Sequence, residues 1–150
     1  MQRTSLTKNP CPVARALDSI GDWWSLLIVR DAFDGARRFG DFQRSLGVAK
    51  NILTARLRRL VADGILALEA SSDGTPYQEY VLTAKGEDLF PVIVALRQWG
   101  EAHFYRKNER HSVLVDRHDN KRVQKIQVLS SNGKLLSPSE TLVKKPSALE

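Results

Sequence analysis

Between residues 37 and 59 the chain carries seven basic side chains, Arg37, Arg38, Arg44, Lys50, Arg56, Arg58 and Arg59, against the single acid Asp41. A block of that sign draws a polyanion toward it, and a solvated charged face is the alternative that charge alone leaves open. Interleaved with the block stand Asn51, Thr54 and Ala55, whose chemistry is different. An amide can pair bidentately with adenine, a guanidinium with guanine, and a small apolar surface with the thymine methyl. Asn51, Arg58 or Arg59, and Thr54 with Ala55 supply those groups, while Lys50, Arg56, Arg37 and Arg38 suit phosphates. Arg58 and Arg59 serve equally as backbone clamps, because base contact favours the N-terminal half of a helix in a groove.

The rest of the chain offers little other chemistry. Cys11 is the one cysteine, so neither a disulfide nor a zinc cage can be built within the chain. His103, His111 and His118 lack metal-ligand spacing, and no histidine shares a local element with Cys11. These counts point away from an enzyme and toward a protein with no metal and no cofactor. No apolar run approaches the roughly 18–20 residues of a membrane span and the start lacks a signal-peptide core, so a cytoplasmic protein that meets no membrane is expected. The net charge of +6 divides unevenly, with residues 60–105 holding two bases against seven acids and 106–150 ten bases against five.

The helices and strands around the basic block follow from apolar spacing. Residues 12–20 read as an amphipathic helix opened by Pro12 and closed at Gly21, and Asp22 caps a second, almost wholly apolar helix to Phe33. Residues 39–46 form a short third helix stopped by Gly47, and 50–63 a fourth of about 21 Å, whose stripe is Leu53, Leu57, Leu60 and Val61. Residues 65–71 and 77–82 are strand-like around a loop at 72–76, and Thr83 caps a long helix reaching about Tyr105. Beyond a charged connector, 113–115 and 123–129 read as short strands with turns at Asp119-Asn120 and Asn132-Gly133, and the end from Lys144 as disordered.

A short helix, a glycine turn and a second helix with one apolar and one basic face make a helix-turn-helix, and two strands after it make a wing. The expected class is α+β, mainly helical: a winged helix-turn-helix with a long C-terminal dimerisation helix and a short β-like extension. The expected divisions are an N-terminal arm at 1–11, the main domain at 12–105, a basic extension at 106–143 and a tail at 144–150. Wing contact with DNA would fall to Thr75 and Tyr77. A pocket near Trp23, Trp24, Phe90 and Trp99 is conceivable, although aromatics at helical spacing are more often core.

From Cys11 to Trp99 the motifs appear in the order of a known family: Cys11-Pro12, Asp22-Trp23-Trp24, Arg38-Phe39-Gly40-Asp41-Phe42, Leu53-Thr54-Ala55-Arg56-Leu57, Asp63-Gly64, Glu79-Tyr80-Val81-Leu82-Thr83, Gly86 and Trp99-Gly100. In these the chain resembles the HxlR-type regulators, a MarR-like branch of winged-helix proteins. The resemblance implies a homodimer held by the first and last helices, placing Val13, Leu17, Leu89, Ile93, Leu96 and Trp99 at the interface. It also implies an inverted-repeat operator in double-stranded DNA and a regulator, more often a repressor, that answers a small molecule or electrophile. In part of the family the cysteine at the place of Cys11 senses oxidants; a small buried hydrophobe is the other fate of such a residue. Three departures stand out. Ala49 replaces the usual hydroxyl cap, the wing has Tyr77-Gln78 where a basic residue is usual, and Leu129 and Asn132 stand where some relatives carry metal-binding cysteines. A winged-helix module for protein or RNA contact is the competing reading.

Overall fold

The computed structural model describes residues 4–146; the expected tail therefore lies partly, and the first residues of the expected arm wholly, outside the described residues. Four helices come first: α1 (Pro12–Ile20), α2 (Trp23–Phe33), α3 (Phe39–Leu46) and α4 (Lys50–Ala62). They start and stop where local chemistry dictates. Asp22 accepts the Ser25 backbone N–H at 2.9 Å to cap α2. At α3 the Asp41 carboxylate reaches back to the backbone N–H groups of Arg37 and Arg38, satisfying two donors ahead of the first turn. Gly47 ends α3 at φ 61°, the left-handed conformation in which glycine carries no Cβ penalty. Ala49 opens α4 with no side-chain hydrogen bond, so the sparse capping read from the sequence persists.

Strands β1 (Leu66–Ala70) and β2 (Gln78–Leu82) form an antiparallel hairpin in which Leu66 faces Leu82 and Ala70 faces Gln78. The Tyr80 N–H also donates to the Arg37 carbonyl at 2.7 Å, tying the wing to the segment that leads into α3. The core gathers Ile28 and Val29 of α2, Phe42 of α3, Leu53, Leu57 and Leu60 of α4, and Ile65 and Leu66, all buried. Phe42 and Tyr80 meet edge to face at 6.3 Å, so helix and wing share one apolar seam.

The expected single helix after Thr83 is two helices. Thr83 does cap, accepting the Gly86 N–H at 3.1 Å, but α5 (Ala84–Glu87) stops after one turn and α6 (Phe90–His103) begins beyond a two-residue turn. Pro91 has no N–H to give the Glu87 carbonyl, so a continuous helix would lose that bond and meet the ring. Gly86 is required by space: a Cβ there would lie 2.2 Å from the Ile65 carbonyl oxygen.

The chain divides after Ile93 into two compact units. In the second, the expected strands at 113–115 and 123–129 are not formed; among the described residues only the single bridges Val115 with Arg122 and Leu129 with Leu135 occur, followed by a 3-10 turn at Pro138–Glu140. The turns are where the sequence puts them, with Asn120 at φ 59° and Gly133 at φ 85°. From 104 to 146 no residue is buried, and a lone ribbon without an apolar cover rarely holds a regular ladder. Among the described residues no helix is long and apolar enough to cross a membrane.

Candidate nucleic-acid interface

On α4 the buried stripe of Leu53, Leu57 and Leu60 fixes which side chains face outward. Lys50, Asn51, Ala55, Arg58 and Arg59 are exposed, while Thr54 and Arg56 are half-buried at the margins. Ile52, which the sequence reading did not single out, is exposed on the same helix at 39%. The basic residues then separate by what they touch. Lys50, Asn51 and Arg58 carry no side-chain hydrogen bond or ion pair among the described residues. Arg59 instead donates to Asp63 at 2.9 Å and to the Asp18 carbonyl at 3.2 Å, and Ser19 of α1 donates to the same Asp63 at 2.6 Å. Burial pushes the Asp63 carboxyl up, but the Ser19 hydroxyl and then the Arg59 guanidinium outweigh it and hold the group below its ordinary value. Arg56 lies 3.3 Å from the Asp22 carboxylate that caps α2. Arg59 and Arg56 thus fasten α4 to its neighbours.

Arg37 and Arg38 are turned toward the wing. The Arg38 guanidinium donates to Ser71 at 2.9 Å and to Asp73 and Thr75, and it lies over the Tyr77 ring at 5.2 Å. Arg37 reaches the buried Glu79 at 3.5 Å. Asp73 sits well below the usual carboxylate range, chiefly through the Ser71 hydroxyl, then the Thr75 hydroxyl and backbone N–H. Glu79 is also lowered, burial being outweighed by Ser72, Ser71 and Arg37. A wing without a basic residue of its own therefore holds the positive charge of Arg38, lent by the start of α3, beside Thr75 and Tyr77. The acids that occupy these arginines were missed from sequence. Arg59 and Asp63 stand four apart on one helix, a spacing that could have been read; Arg38 and Asp73 are 35 residues apart and could not.

The other candidates divide in the same way. Cys11 is exposed and is the N-cap residue of α1, its backbone N–H donating to Asn9 at 2.9 Å. In the first unit Val13 and Leu17 are exposed on α1, whereas Leu89 and Ile93 pack against the core. In the second, Leu96 and Trp99 are exposed, Trp99 at 58%. Trp23 is 75% exposed, and the Phe90 ring meets that of Phe33 at 5.2 Å, tilted by 56°. Among the described residues no group of three or more His, Cys, Asp or Glu side chains is placed to hold a metal.

This arrangement has counterparts among known proteins. Residues 19–108 match the family model for HxlR-like helix-turn-helix proteins. An HTH-type transcriptional regulator of Mycobacterium tuberculosis is 46% identical over 94 residues, 63% of this chain and 60% of that one, so the chain spans about three-fifths of that relative's length. The crystal structure of PA1607, a candidate transcription factor, superposes with TM-score 0.90 at 52% identity, covering 94% of this chain and 99% of that chain. The redox regulator HypR in its oxidised form is 36% identical with TM-score 0.58, covering 64% of this chain and all of that one. These relatives are regulators rather than enzymes. Since the match takes in the helix-turn-helix, the wing and α6, the chain belongs to the HxlR-like helix-turn-helix family.

Proposed function

We propose that the protein is a cytoplasmic, sequence-specific regulator of transcription, a repressor, that binds an inverted repeat in double-stranded DNA as a homodimer. The observation that carries this reading is the outward face of α4, where Lys50, Asn51 and Arg58 hold donors that no group among the described residues uses. A major groove about 12 Å wide accepts such a helix, and its base edges and phosphates would supply the missing acceptors. Thr54 and Ala55 give the apolar part of that contact, and Arg38, with Thr75 and Tyr77, the wing's part. Arg37, Arg38, Arg56 and Arg59 contribute positive field rather than direct readout, since each already faces a carboxylate. The exposed α1 and α6 residues support dimer contacts through Val13, Leu17, Leu96 and Trp99. Leu89 and Ile93 act from beneath, as support from the core.

The test is to titrate duplexes selected from genomic DNA, and random duplexes of equal length, between roughly 50 and 200 mM salt. Affinity for both falls steeply with salt, and the selected duplex keeps a margin that Arg58→Ala reduces by about 1–3 kcal/mol, roughly five- to 150-fold. Binding that ignores salt and sequence overturns the reading in favour of a protein-contact module. The exposure of Cys11 supports a second element, control through its thiol, in keeping with the named redox character of HypR. Stoichiometric alkylation of Cys11, verified by mass, then changes DNA affinity; an unchanged isotherm removes the thiol from the function.

A further inference from the structure

In the second unit α6 and the extension enclose an open groove of about 600 Å3. Its shape is built within one chain: Gln98 donates to the Gln124 carbonyl at 3.0 Å and accepts the Ile126 N–H at 2.8 Å, and Arg97 donates to Ser112. Trp99, Val113, Val123 and Ile126 give it apolar walls, each of them exposed to solvent. Set among them are Glu101, which is half-buried and carries no hydrogen bond or ion pair among the described residues, and Arg122 and Lys125, also without an ion pair there. His103 and His111 complete the titratable groups of the groove. An extension of some forty residues with no buried side chain does not recover its own ordering entropy, so its apolar row calls for a cover.

We propose that this groove is a self-complementary docking surface for a second copy of the chain, with Glu101 of each copy meeting Arg122 and Lys125 of the other. The proposal rests on the homodimer reading above and assigns the extension a part in it. A two-fold interface requires one patch to match itself, and an acid beside two bases on an apolar floor does so. Duplex DNA fits less well, because the unpaired carboxylate repels phosphate and the apolar walls gain nothing from it.

The experiment is sedimentation equilibrium of the full chain, with circular dichroism to confirm the fold of each variant. Glu101→Lys alone, and Arg122→Glu with Lys125→Glu, each raise the dimer dissociation constant at least tenfold; all three changes together restore it to within threefold of the parent. Should Glu101→Lys fail to fold, Glu101→Gln gives a smaller loss in the same direction, and the basic pair remains a separate test. Dimers indifferent to these changes, or a triple variant without rescue, overturn the groove assignment while leaving the homodimer intact. A parent chain that is monomeric at micromolar concentration overturns both. Loss of random-duplex affinity in Arg122→Glu/Lys125→Glu with an unaltered dimer gives the groove to nucleic acid and likewise overturns the proposal.

Discussion

On α4, Lys50, Asn51 and Arg58 project with no partner among the described residues, while in the wing Ser71, Asp73, Thr75 and Glu79 are each engaged by one another or by Arg37 and Arg38. The two regions differ in composition, four bases and no acid on α4 against three acids and no base in the wing, and they are opposite in use. A free donor over a buried apolar stripe gains by meeting an outside acceptor, whereas a wing whose carboxylates are already satisfied behaves as a braced arm with Arg38, itself paired with Asp73, at its base. Positive charge in a sequence is therefore a poor guide to which residues read a ligand: of the four arginines at 56, 58, 59 and 38, only Arg58 is unpaired among the described residues.

Both regions hang on one buried ring, and removing it breaks the comparison outright. Phe42→Ala empties the seam between α3 and the wing and is expected to cost about 3–5 kcal/mol in urea unfolding, with loss of DNA binding as the fold opens. A sharper cut sets Arg58→Ala against Arg59→Ala. The first lowers selected-duplex affinity by about 1–3 kcal/mol at an unchanged melting temperature; the second costs stability, by under about 1 kcal/mol because the Arg59–Asp63 pair is partly exposed. Equal effects of the two on affinity would erase the distinction between free and fastened arginines.

Adding the absent cap strengthens one region alone. Ala49→Ser is expected to stabilise by about 0.5–2 kcal/mol, read as a higher urea midpoint with an unchanged slope. Arg38→Ala loosens the other: amide exchange across 71–77 quickens, and selected and random duplexes lose affinity alike, by a few-fold. A selective loss on the chosen duplex would make Arg38 a base reader. Acid gives the smallest effect under ordinary conditions. Asp41, Asp63 and Asp73 all lie below their ordinary value of 3.8, so their stabilising contribution is complete above that value and is lost as pH falls through the folded-state values. Between pH 7 and 5 these groups leave the melting temperature unmoved; below about pH 4 it declines, with the wing's exchange protection declining alongside.

Much of the fold was legible because its signals are local. The boundaries of α1 and α2, the Gly47 stop and the Thr83 cap depend on residues within one turn of each other. The break before Phe90 was equally local, written in Pro91, and was overridden by the long apolar period around it. The strands at 113–115 and 123–129 failed for a different reason, since a strand needs a neighbour and the alternation of apolar residues does not supply one.

By itself the sequence determined the first four helices and the two wing strands, the buried stripe of α4 and hence the side of that helix which faces outward, because these periodicities are properties of the backbone. Tertiary structure alone decided which basic residues remain available there. Asp22, Asp73 and Glu79 reach Arg56, Arg38 and Arg37 across 34, 35 and 42 positions, and the competition of a carboxylate for a guanidinium is settled by distance in space.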